Sequence, residues 1–203
     1  MIKYVLPVLA IGILVGYLNN TFGFSKLNTF FSEYTFNLSL IALLFLMGML
    51  FAMDEKAVAK MRQAKFKILI FPLVVALGSI MGGLVGGIIL RINIFASMGV
   101  CAGYGWYTLA GPLAGQLFGL EWGALGFTVN LLRELVTIAS ASLVVKLDRY
   151  APIAMGGATS MDTTLPIIVR YCGQDTLITA FSSGFILTMA APFTITAIAA
   201  VAH

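Results

Sequence analysis

Charge is scarce in this chain. Of its 203 residues, 10% are Asp, Glu, Lys or Arg and 60% are hydrophobic. Soluble domains carry about 25% charged residues, so the composition excludes a soluble globular domain and points to an integral membrane protein. Histidine is nearly absent. The one imidazole is His203, which leaves little for histidine-based catalysis. The two cysteines, Cys101 and Cys172, have no spacing that suggests a disulfide framework or a metal site. There is no Walker A phosphate loop, no His-Glu-x-x-His zinc motif and no Gly-x-Ser-x-Gly elbow. The Gly-x-Gly-Asp arrangement of intramembrane aspartyl proteases is missing too, since Asp162 follows GGATSM. Neither an enzyme nor a cofactor or metal is expected. No polar stretch is long enough for a soluble domain, so residues 1–203 read as one membrane domain.

What the chain has is long apolar runs. A membrane-crossing helix needs about 20 apolar residues. Runs of that kind place spans at 2–18, 36–53, 68–90, 122–145 and 176–200. The stretch 21–35 is mixed and aromatic and reads as interfacial. The first run lacks a clear cleavage site and is expected to be a retained span, not a signal peptide. Five of the twelve basic residues, Lys56, Lys60, Arg62, Lys65 and Lys67, share one loop. The positive-inside rule puts that loop in the cytoplasm; a lipid-binding patch is the other reading. With the basic residues so placed, the net charge of +4 is not a nucleic-acid signal. In span 68–90, Gly78, Gly82, Gly83, Gly86 and Gly87 suggest a helix-packing face.

Two apolar segments are interrupted. Segment 94–118 contains GYGWYTLAGP over Gly103–Pro112, which a continuous helix is not expected to cross. Segment 151–169 contains GGATSMDTTLP over Gly156–Pro166. An offset of 54 residues lays Gly103 on Gly157, Thr108 on Asp162 and Pro112 on Pro166, and span 68–90 on 122–144. Matching broken segments in two repeats point to a transporter binding site. The expected fold is therefore all-α and polytopic, with about five full spans plus two Gly/Pro-broken segments. An inverted repeat is expected over about 68–120 and 122–173. If both broken segments are re-entrant hairpins, Lys146 and Arg149 fall in the cytoplasm and the C-terminus outside. Seven full crossings are the alternative. Broken backbone at bilayer depth has to be buried in protein or face water, so the two breaks are expected to meet.

Glu134 and Asp162 lie inside these apolar stretches. A carboxylate at that depth is expensive and marks an ion or substrate path by default. For Glu134 the competing reading is a buried pair with Arg133 or another helix. For Asp162 it is an N-cap on a short helix before Pro166, with Thr108 as the equivalent cap before Pro112. Supporting polar, aromatic and glycine positions are Asn130, Thr159, Ser160, Thr163, Thr108, Tyr107, Trp106, Gly103, Gly105 and Gly157. Tyr104 and Gln116 stand near them.

The strings at Gly103–Pro112, Val129–Leu135 (VNLLREL) and Gly156–Pro166 resemble the LysO family of prokaryotic lysine exporters. The resemblance covers most of the chain from about residue 36. It implies export of L-lysine across the cytoplasmic membrane and resistance to a toxic lysine analogue. It also implies two intramembrane acids important for transport, at the positions of Glu134 and Asp162. Some members are longer, with an additional N-terminal membrane region. The resemblance therefore implies a homodimer or a small membrane subunit as partner. Cation or proton antiport is the expected mechanism, with protons or sodium as the coupling ion. A sodium/proton or other organic-ion transporter and a non-transporting membrane subunit are the competing functions.

Overall fold

The computed structural model of the chain describes residues 67–202 continuously, with scattered positions between Ile11 and Met53 before them. The spans expected at 2–18 and 36–53, the interfacial stretch and the loop at 54–66 lie outside the continuously described residues.

The described elements are helical. In chain order they are α1 (Lys67–Leu90), α2 (Ile94–Cys101), α3 (Tyr107–Phe118), α4 (Leu120–Val144) and α5 (Ala151–Gly156). A 3-10 turn (Gly157–Met161), α6 (Leu165–Cys172), a short 3-10 turn (Gln174–Thr176) and α7 (Leu177–Ala202) follow. By internal contacts the chain divides into two units, Met1–Val58 and Ala59–His203, and α1–α7 all belong to the second.

Three described segments are long and apolar enough to cross a membrane: Leu69–Leu90, Leu120–Val144 and Gln174–Ala202. They match three of the five spans expected. The other helices are too short. At 12 residues, α3 rises about 18 Å, against a hydrocarbon core of about 30 Å.

Both broken segments double back. The Arg149 Nε donates to the Cys172 carbonyl at 2.7 Å, and its guanidinium pairs with Asp175. The residues that flank α5 and α6 therefore meet. In the first broken segment the ring of Phe118, the last residue of α3, covers Gly99 of α2; a Cβ there would lie 2.6 Å from the ring.

Each hairpin leg also packs on a neighbouring span. Ser97 of α2 donates to the Gly83 carbonyl of α1 at 2.8 Å. Gly111 and Gly115 of α3 lie against Gly123 of α4. Small residues allow this close approach, which takes the place of hydrophobic burial when lipid is the solvent.

Two expectations need correction. The glycine face of α1 is narrower than expected. Gly83 and Gly87 meet α2, whereas Gly78, Gly82 and Gly86 have nothing within 4 Å of an added Cβ among the described residues. The reason is helical phase: Gly83 and Gly87, four residues apart, share the stripe that faces α2, and Gly78, Gly82 and Gly86 fall on the stripe beside it. The first break is also narrower. Helix resumes at Tyr107 and carries Gly111 and Pro112 inside it. Pro112 lies in the second turn of α3, so the ring removes one backbone bond near an end that is already open.

Candidate functional site

The two breaks meet, as expected. The Ala158 N–H donates to the Tyr104 carbonyl at 2.8 Å. Gly157 lies under that same carbonyl with no room for a side chain, and a Cβ on Gly105 would be 3.0 Å from the Gly156 carbonyl. Both tips use the left-handed region, with φ of 53° at Tyr104, 100° at Gly105 and 61° at Gly157. Glycine adopts it freely; Tyr104 is fully buried and is held there by its surroundings.

Helix α4 braces both tips. Its buried face carries Gly126, Asn130, Glu134, Thr137 and Ala141, the three- and four-residue spacing of one helical stripe. Asn130 serves the first tip. Its Oδ1 accepts from the Gly105 N–H at 2.7 Å, and its Nδ2 donates to the Val100 and Gly126 carbonyls at 2.9 and 2.8 Å. Arg133 serves the second. It donates to the Met155 and Ala154 carbonyls at the end of α5, at 2.8 and 2.9 Å, and to Ser79 of α1 at 2.9 Å. A cation at a helix C-terminus is well placed to satisfy carbonyls that lack helical partners.

Arg133 does not pair with Glu134. Among the described residues the ion pair present is Arg149–Asp175. Glu134 is 8% exposed, and its Oε2 is buried without a hydrogen-bond partner among the described residues. A buried carboxylate oxygen in that state is costly unless a proton or a cation completes it.

Asp162 differs. It is exposed, and its Oδ1 accepts from the N–H of Thr163 at 2.6 Å. It does not cap α6, whose N-cap is Thr164. Thr108 is no N-cap either; Trp106 holds that position in α3. The ring of Tyr107 meets Phe127 of α4 edge-on at 5.4 Å.

The remaining candidates divide. Thr159 donates to the Gly156 carbonyl and lies 3.3 Å from the Thr164 hydroxyl. Ser160 donates to the Gly157 and Ala180 carbonyls at 2.7 and 2.9 Å. These hydroxyls shape the second tip. Thr163 and Thr108 are exposed and Trp106 is half-buried. Gly103 packs on Asn130.

Helix α7 is a participant that the sequence reading did not single out. Gly184 lies on the second tip, where a Cβ would be 2.6 Å from the Met161 amide nitrogen. Ser182 and Ser183 beside it are each 1% exposed. The sequence carries no local signal for it, because α7 has small residues along its whole length. No group of three or more His, Cys, Asp or Glu gathers for a metal among the described residues.

Apolar spans, two doubled-back segments meeting tip to tip, and a buried acid beside the meeting point define a helical membrane protein built around a polar centre. Comparison with known proteins narrows this. The family model for the lysine exporter LysO matches residues 6–199, and the chain belongs to that family. It is 36% identical to the lysine exporter LysO of Escherichia coli K12, over 81% of this chain and 53% of that protein. It is 29% identical to a putative lysine exporter of Haemophilus influenzae Rd, over 57% of this chain and 60% of that protein. The chain thus spans little more than half the length of these curated relatives. No solved structure matches.

Proposed function

We propose that this chain carries the transport site of an exporter of L-lysine and close analogues in the prokaryotic cytoplasmic membrane, working by antiport against protons or sodium. The observation that carries the reading is Glu134, a carboxylate on the buried face of α4 with an oxygen that has no partner among the described residues. Lysine at neutral pH is a cation of net charge +1, and its ammonium is the partner that Glu134 lacks. A proton arriving from outside neutralises the carboxylate and releases lysine. Shared occupancy of one acid by the two cations yields exchange.

The topology belongs to the same proposal. The 54-residue offset pairs Tyr104 with Ala158 and Ser79 with Arg133, and both pairs are in contact. Residues related by a two-fold axis touch where they lie on it, which supports an inverted repeat of one span plus one re-entrant hairpin. Alternating access then turns on the tip contact, and the C-terminus lies outside. The family resemblance implies a second copy or a small membrane subunit as partner.

Lysine counterflow in proteoliposomes tests the site. The wild type is expected to exchange labelled lysine, and Glu134→Gln and Asp162→Asn are expected to reduce it to background while still folding. Exchange unchanged in both folded variants removes the two acids from the mechanism. Competition by sodium but not by lysine analogues would favour the sodium/proton reading. Loss of folding on neutralisation would favour a structural role in a membrane subunit.

A further inference from the structure

A cavity of about 480 Å3 lies between α1, α4 and α5. Val74, Gly78, Ser79, Thr137 and Met155 help to line it, and so does Arg133; neither Glu134 nor Asp162 does. It opens at the surface, where Val74 and Val136 are more than half exposed. The Arg133 guanidinium also lies against both tips. A Cβ on Gly157 would be 3.0 Å from Nη2, and one on Gly105 would be 3.8 Å from Cδ.

From this placement we propose that Arg133 is a fixed positive barrier where the cavity meets the two tips, which stops cations from passing the tips except by the transport cycle. Three hydrogen bonds to two elements, α5 and α1, hold the guanidinium still, and Arg stays protonated under all ordinary conditions. A fixed cation at a narrow crossing excludes protons and metal cations by charge, as in other membrane pores. The contacts to Ala154 and Met155 explain where the charge sits, and the barrier explains why a charge is there. A neutral donor such as Gln would satisfy part of the same carbonyl set.

The test reads leak, not lysine transport. Purified full-length chain is placed in liposomes with an internal pH dye and a potassium-diffusion potential, with no lysine present. Arg133→Gln is expected to raise proton leak about tenfold over wild type, whereas Arg133→Lys, which keeps the charge, is expected to stay tight. Ser79→Asp sets a carboxylate against the same guanidinium and is expected to leak like Arg133→Gln. Folded Arg133→Gln with wild-type leak overturns the proposal, as does Arg133→Lys leaking as fast as Arg133→Gln. Should Arg133→Gln fail to fold, a tight Ser79→Asp overturns it. The inference rests on the transport reading for its path, but the two fail separately: a chain that leaks on neutralisation and carries no lysine loses only the lysine assignment.

Discussion

Residues 67–119 and 120–173 have the same succession of a long helix, a short helix, a break and a second short helix. Each ends on a glycine in nearly the same conformation, Gly119 at φ 108°, ψ 161° and Gly173 at φ 96°, ψ 158°. Their chemistry differs. At the offset of 54, Asn130, Arg133 and Glu134 of the second half stand opposite Ala76, Ser79 and Ile80 of the first, and Asp162 opposite Thr108. One backbone plan thus serves two tasks. The first half supplies a neutral tip and close-packed glycines. The second supplies the acids and braces both tips from α4. The proposed transport site is asymmetric even though the succession of helices repeats.

The largest effect expected from breaking this asymmetry is on transport. Glu134→Gln abolishes lysine exchange, whereas Ile80→Val at the matching position of the first half leaves most of it. Equal losses would mean that both halves carry the site. The next effect is on stability. Asn130→Ala orphans the buried Gly105 N–H and leaves the Val100 carbonyl with the Gly103 N–H alone, and is expected to cost about 2 to 3 kcal/mol. At the matching position of α1 the side chain is already a methyl group that braces neither tip. Ala76→Gly is expected to cost about 1 kcal/mol, the ordinary loss for glycine inside a helix, and thermal unfolding in detergent compares the two directly. Similar values would contradict the bracing role of α4. The smallest effect is at the mouth of the second hairpin, where Asp175→Asn removes an ion pair with no counterpart in the first half. The partners are 47% and 66% exposed, so the expected cost is under about 1 kcal/mol and shrinks with salt.

Much of this plan was legible in the sequence. Hydropathy placed α1, α4 and α7 to within a few residues, because long apolar runs leave a span little freedom. The Gly/Pro strings located both breaks, because broken backbone has few tolerated settings in a membrane. The width of the first break was not legible. Pro112 reads as a helix stop, yet near the start of α3 it removes only one bond. Arg133 was seen only as a neighbour of Glu134, because its partners are carbonyls of α5 and a hydroxyl of α1, which no local pattern reveals. The same holds for Gly184, whose tight fit against Met161 depends on how α7 packs.

The central claim is that one buried carboxylate serves lysine and the proton in turn. Recording internal pH and labelled lysine together in the same vesicles tests it most directly. The account predicts that an imposed lysine gradient drives protons the opposite way in wild type, and that Glu134→Gln, though folded, moves neither. Lysine movement with no accompanying proton or sodium flux, or full lysine flux in Glu134→Gln, would contradict it.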